Sequence, residues 1–135
     1  MWIPDLQAAI FEAARVLQAE GALVAIEPDY GGMMEHPDLG LRGIWIDALT
    51  RAGADPHMGR KLPAACEKAR MAVWVELSHL PQQATAQAVS LLEDLPLTAD
   101  QRRTTRIAAN RIADGPGGWS QFLHVPYFLI VATKG

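Results

Sequence analysis

Two carboxylates stand at the end of an apolar run, where they could do acid–base chemistry. Glu27 and Asp29 flank Pro28, directly after the run ALVAI at residues 22–26. In open α/β sheets, ligands bind beyond the carboxyl ends of the strands. A carboxylate there can remove a proton when burial or a neighbouring charge shifts its pKa toward neutral. The pair therefore predicts proton removal or substrate positioning. The alternative is a strand end that turns into solvent, with Asp29 capping a turn.

A helix and a strand must hold these carboxylates in place. Apolar residues at helical spacing predict a helix over residues 5–20, with Asp5 as its N-cap and Gly21 in the left-handed position after its last turn. Residues 22–27 then predict a strand. Because this run does not alternate with polar residues, we expect both faces of the strand to be covered.

The remaining sequence predicts two more strands and four more helices. The expected strands are 71–77 and 126–133, and the expected helices run from 36 to about 53, 63 to about 69, 82 to 95, and 98 to about 114. Thr98 and Gln101 form a capping box at the start of the last helix. The order α-β-α-α-β-α-α-β, without repeats or linkers, predicts one domain over residues 1–135.

Composition limits the classes of function. The chain has 135 residues, half of them apolar, with a net charge of −3 and one cysteine, Cys66. That length suffices for one domain with a core. No signal peptide or membrane-length apolar run is found, and a lone cysteine is typical of a reducing compartment, so we expect a cytoplasmic protein that binds no membrane.

Charged and imidazole side chains elsewhere give weaker signals. Four arginines follow one another on the last predicted helix: Arg102, Arg103, Arg106 and Arg111. They lack interleaved aromatics, so we interpret them as a solvated face and expect no nucleic acid partner. The histidines are His36, His57, His79 and His124, and their wide spacing matches no compact metal motif, so no metal site is predicted.

Four stretches together resemble the C-terminal half of a class I S-adenosylmethionine-dependent methyltransferase of the small-molecule type. Residues 12–27, EAARVLQAEGALVAIE, resemble the family's E-x-x-R-V-L-K-P-G-G helix and fifth strand. Residues 53–63, GADPHMGRKLP, resemble the loop before its sixth strand, which residues 71–77 would form. Residues 125–133, VPYFLIVAT, resemble its closing antiparallel seventh strand.

The resemblance implies a fold and a cofactor. The fold is α/β, the C-terminal half of a Rossmann-like methyltransferase sheet, with three strands, the last antiparallel, and about five helices. The cofactor is S-adenosylmethionine, which the family holds mainly through a glycine-rich turn and acidic residues of its first half. Those features are absent here, since Gly31-Gly32 is followed by Met33-Met34 without G-x-G spacing. We therefore expect no cofactor to bind the isolated chain.

The resemblance also implies acceptor-side residues. The segment between the fifth and sixth strands often roofs the acceptor pocket, and it contains Trp45 and Arg60. Trp45 on an apolar stripe also suits a core position, and Arg60 could instead pair with Glu67. The predicted substrate-binding residues are Glu27, Asp29, Tyr30, Trp45 and Arg60.

A missing first half has consequences for partners. The chain would begin just after the family's fourth strand, so strand 22–27 would expose an apolar edge that templates pairing. We expect this edge to be covered by a second copy, in a two-fold homodimer, or by a chain that carries the missing half. The predicted function is a methyltransferase fragment or remnant that is inactive alone. The alternative is a non-catalytic dimeric α/β interaction module.

Overall fold

The structure is a computed structural model that describes residues 2–78 and 80–135. The described residues form five α-helices: α1 Leu6–Val16, α2 Leu41–Arg51, α3 Met58–Lys68, α4 Ala86–Ser90 and α5 Ala99–Ala113. They also form six strands: β1 Ala22–Pro28, β2 Met34–His36, β3 Met71–Ser78, β4 Gln82–Gln83, β5 Phe122–His124 and β6 Tyr127–Lys134. No helix in this described part is long and apolar enough to cross a membrane.

The main sheet has three strands in the order β1-β6-β3. Strand β6 is antiparallel to both neighbours, and Ile130 at its centre pairs with Ala25 on one side and Val75 on the other. Strands β1 and β3 therefore run parallel to each other. The expected α/β class, the three long strands and the antiparallel last strand are confirmed.

One face of the main sheet carries the first core. Ile130 and Ala132 of β6 pack with Ile10 of α1 and Leu62 of α3, and all four are buried. Burying each large aliphatic side chain contributes about 1.5–3 kcal/mol, so this face anchors α1 and α3. Cys66 lies in the same core, where burial raises the pKa of its thiol.

The other face of the main sheet is exposed, so the prediction that both faces of strand 22–27 are covered is wrong. Val24 and Ile26 are 60% and 64% exposed, and Trp74 is 53% exposed. Val24 and Trp74 both pair with Val131, so all of these side chains share one face. The apolar run correctly indicated two apolar faces, but a sequence pattern does not specify what covers them. We call Val24, Ile26, Trp74 and Val131 the open face.

A second sheet, with the order β2-β5-β4, was not predicted. Two of its strands overlap positions predicted as helical. Strand β2, Met34–His36, includes the predicted helix start at 36, and α2 begins only at Leu41. Gln82–Gln83 replaces the start of the predicted helix 82–95. That helix is reduced to α4 and a 3₁₀ turn over Leu91–Asp94. Pairing with β5, some forty to ninety residues away, overrides the local preference.

The predicted N-terminal caps of α1 and α5 are present, but two other predicted helix ends are wrong. Asp5 caps α1, and the capping box of Thr98 and Gln101 at α5 is present as predicted. The prediction for Gly21 is wrong, because α1 ends at Val16 and the left-handed residue is Glu20, with φ of 62°. Helix α3 also begins earlier than predicted, at Met58 rather than near Pro63.

An unpredicted cap starts α2. The Glu35 carboxylate accepts hydrogen bonds from the backbone N–H groups of Leu39, Leu41 and Arg42 at 3.0–3.1 Å. This side chain satisfies donors that the N-cap residue, Gly40, cannot. Strand β2 and the loop after it are thereby tied to α2, which carries Trp45.

Candidate functional site

The candidate site lies where β1 ends and a 3₁₀ turn, Tyr30–Gly32, begins. Two backbone hydrogen bonds fix this corner: Asp29 N–H donates to Pro126 C=O at 2.9 Å, and Tyr30 N–H donates to Pro56 C=O at 3.0 Å. The first joins the corner to the segment before β6, and the second joins it to the loop before α3. Residues far apart in the sequence therefore meet here.

Asp29 and Arg60 form an ion pair at this corner. Asp29 is only 3% exposed. Arg60 Nε donates to both carboxylate oxygens at 3.1 and 3.0 Å, and its Nη2 lies 2.5 Å from Oδ2. The alternative pairing of Arg60 with Glu67 is thus wrong. Because the guanidinium neutralises a buried carboxylate, this pair holds the turn and α3 together.

His57 and Asp55 lie beside the ion pair. His57 Nδ1 is buried and lies 3.6 Å from Asp29 Oδ1, which is beyond hydrogen-bond range. It has no hydrogen-bond partner in the described part of the chain. Asp55 accepts a hydrogen bond from His57 N–H at 2.9 Å and contacts Lys61 Nζ at 2.5 Å. Burial raises the pKa of Asp55, but these two donors outweigh it and lower the pKa overall.

Glu27 is in a different environment from Asp29. It is the one acidic residue of β1, and partial burial raises the pKa of its carboxyl above the usual value. A raised pKa brings a carboxylate closer to the range in which it can accept a proton at neutral pH. Of the two carboxylates, Glu27 is the one whose pKa is raised, and Asp29 is the one that pairs with Arg60.

Tyr30 and Trp45 form an aromatic wall beside the ion pair. Their ring centroids are 5.0 Å apart at an interplanar angle of 23°, which is a stacked arrangement. Burial and, to a smaller extent, the electrostatic interaction with Tyr127 raise the pKa of the Tyr30 hydroxyl. Trp45 also packs against a second core cluster, which includes Leu41, Ile44 and Leu92, so it contributes to that core as well.

The aromatic wall lines a cavity of about 380 Å³. His124 also lines it, although sequence reasoning considered that residue only as a metal ligand. His124 is 5% exposed, and its Nε2 has no hydrogen-bond partner among the described residues. The signal available in the sequence was a lone histidine within the apolar stretch FLHVPYF at residues 122–128. That signal becomes informative only once β5 is known to be a strand.

The other candidate groups are not brought together. His36 stacks on Phe122, and His79 lies outside the described residues. No three histidine, cysteine or acidic side chains in the described ranges are grouped as a metal site. Of the arginines on α5, Arg103 pairs with Asp100 at 2.8 Å on the helix surface.

Gly31 provides a stability test of the site's packing. A Cβ at Gly31 would lie 2.5 Å from His57 Nδ1 and 2.9 Å from Arg60 Nη2. We therefore expect Gly31→Ala to lower the free energy of unfolding by about 1–2 kcal/mol, measured by urea denaturation. The matched control is Gly43→Ala in α2, where a Cβ would meet nothing within 4 Å. This exchange should raise the free energy of unfolding by about 0.5–1 kcal/mol. Equal stability of Gly31→Ala and wild type would contradict this packing.

Comparison with known proteins adds no relative to this description. No protein-family model matches the sequence, and no curated protein matches it.

Proposed function

We propose that the chain is the acceptor-side half of a class I S-adenosylmethionine-dependent methyltransferase acting on a small molecule, and that it is inactive alone. One observation carries this proposal. The main sheet has the order β1-β6-β3, with β6 antiparallel between two parallel strands. This is the arrangement that the resemblance implies for the fifth, seventh and sixth strands of a Rossmann-like methyltransferase sheet.

The edge of β1 gives further support. Asp29 N–H donates to Pro126 C=O, just before β6, and Lys134 N–H of β6 donates to Gly21 C=O. Because backbone groups in an antiparallel ladder alternate in direction, the N–H and C=O groups of the odd-numbered residues of β1 point toward β6. The backbone groups of Ala22, Val24 and Ile26 then point to the other edge, where the structure describes no strand. A preceding strand of a larger sheet would pair with them.

The open face supports the same proposal. The larger, mostly parallel sheet that the resemblance implies would be covered on both faces. The helices described here cover only one face of the main sheet, whose two ladders are both antiparallel. A chain supplying further strands would bring its own helices to the second face. Two copies could instead pair through their β1 edges about a two-fold axis perpendicular to the sheet. Their open faces would then lie on the same side of the joined sheet, and neither copy would cover the other's. The open face therefore favours a chain with the missing half over a second copy.

We infer that this chain alone does not hold S-adenosylmethionine. The Gly31-Gly32 turn is filled from within, since the space beside Gly31 holds the side chains of His57 and Arg60. The space beside Gly115 is likewise occupied by Gln121. Gly117 and Gly118 have open space beside them, but their turn follows the helix α5 and not a strand, which is not the context of a cofactor-binding turn. The methyl donor would accordingly be bound by the partner chain.

This half would supply acceptor binding. The Tyr30–Trp45 stack would form a wall of the acceptor site. Glu27 pairs with Phe128, on the sheet face that α1 and α3 cover, and is not among the described residues that line the cavity beside the stack. The Asp29–Arg60 pair would position Tyr30 rather than touch the acceptor. Such a role needs alignment and exclusion of water more than covalent chemistry.

The test compares the native species with the isolated chain. Purified under native conditions from the cells that produce it, the protein should bind radiolabelled S-adenosylmethionine with one site per copy of this chain. The recombinant chain alone should show no heat with millimolar ligand in calorimetry. Micromolar binding by the isolated chain would show that the cofactor half is not needed, which contradicts the proposal.

The second candidate is a non-catalytic homodimeric α/β module, favoured by the uncharged edge of β1. Pairing of two copies of this edge would form a continuous six-stranded sheet. A native species that contains only this chain, has twice its mass and binds no S-adenosylmethionine would establish this alternative. It would also exclude the two-chain methyltransferase.

A further inference from the structure

The cavity beside the Tyr30–Trp45 stack has the size and lining of a small-molecule site. Its volume of about 380 Å³ falls within the range of ligand pockets. Aromatic and aliphatic side chains dominate its lining, including Tyr30, Trp45, Leu91, Leu123 and Tyr127. Tyr127 pairs with Pro28 and Ser78, so the cavity lies at the carboxyl ends of β1 and β3.

His124 supplies a polar group in this apolar lining. The residue is fixed in β5, where it pairs with Met34, and it is almost fully buried. A buried polar atom without a partner is unfavourable, so the orphaned Nε2 is a group for which a ligand would provide the missing hydrogen bond. The described residues that line the cavity include no aspartate, glutamate, lysine or arginine, so they favour an uncharged ligand.

We propose that this cavity binds a planar aromatic small molecule with a hydroxyl group that hydrogen-bonds to His124 Nε2. Flat rings stack favourably on the aromatic wall. A hydroxyl both donates and accepts, so it satisfies Nε2 in either neutral tautomer of the imidazole. The same stack walls the acceptor site proposed above, so this inference names a ligand class for that site. Binding there needs no cofactor half, and it is tested without S-adenosylmethionine.

The probe is 2-naphthol, and naphthalene is its matched control without the hydroxyl. Titrations of the isolated wild-type chain, followed by amide chemical shifts in NMR, should place 2-naphthol at Leu123 and Val125. We expect 2-naphthol to bind at least tenfold more tightly than naphthalene. Because this comparison uses wild-type protein, it does not depend on the folding of any variant.

Two variants assign the hydroxyl contact. His124→Leu should reduce the preference for 2-naphthol over naphthalene to less than twofold while naphthalene still binds. His36→Leu, a histidine exchange in the same sheet but outside the cavity lining, should keep the wild-type preference. Equal affinity of the two probes for wild type, or shifts centred on Trp74 of the open face, would overturn the proposal. Neither outcome would bear on the test with S-adenosylmethionine.

Discussion

Arg60→Met should lower the free energy of unfolding by about 2–3 kcal/mol, measured by urea denaturation. The substitution keeps much of the aliphatic length but leaves the Asp29 carboxylate buried without its cation. Breaking a fully buried pair costs about 3–5 kcal/mol, and the value here is smaller because Arg60 itself is half-exposed.

A double-mutant cycle separates the ion pair from other effects of this change. Adding Asp29→Asn to Arg60→Met removes the stranded charge, so the double variant should be at least 1 kcal/mol more stable than the two single effects summed. Arg103→Met serves as the control, because the exposed pair of Arg103 with Asp100 should contribute less than about 0.5 kcal/mol. Arg60→Met with wild-type stability would show that the pair does not hold the site together.

Without a partner chain, the exposed edge of β1 should pair with a second copy, and Val24→Pro should convert this dimer to a monomer. Wild type should show twice the 14.7 kDa chain mass by light scattering at micromolar concentration, and the variant should show a single chain mass. Proline removes an N–H that points away from β6, so it blocks pairing at the open edge and leaves the ladder with β6 intact.

Two neighbouring variants control for damage to the fold. Val24→Thr keeps both the N–H and a β-branched side chain, so it should remain dimeric. Leu23→Pro removes an N–H on the side of β6 and should destabilise the main sheet itself. A wild-type chain that is monomeric at micromolar concentration would contradict self-pairing through β1 and leave the partner chain as the only proposed cover.

The main sheet could be predicted because its signals are local. The three long strands are apolar and bounded by breakers, and the helices α1 and α5 are marked by Asp5 and by the Thr98–Gln101 capping box. The small sheet has strands of only two or three residues. Their pairing is determined by distant partners, so no periodicity within the strands themselves revealed them.

The sequence singled out several residues that lie close together, but it did not reveal their contacts. Asp29, Tyr30, Trp45 and Arg60 do lie near one another, yet the sequence could not show that Arg60 spans 31 positions to reach Asp29. Nor could it show that His124 Nε2 is buried without a partner. Such contacts depend on how loops from separate elements meet, and no spacing rule applies to them.

The most direct test of the central claim, that another chain completes the sheet at β1, is amide hydrogen exchange measured by NMR. Leu23 and Ala25 face β6 and serve as internal references for protected amides. We expect the amides of Ala22, Val24 and Ile26, which face the open edge, to exchange as slowly as these references in the assembled protein. Fast exchange at those three residues beside protected Leu23 and Ala25 would mean that the edge is uncovered, and it would contradict the claim.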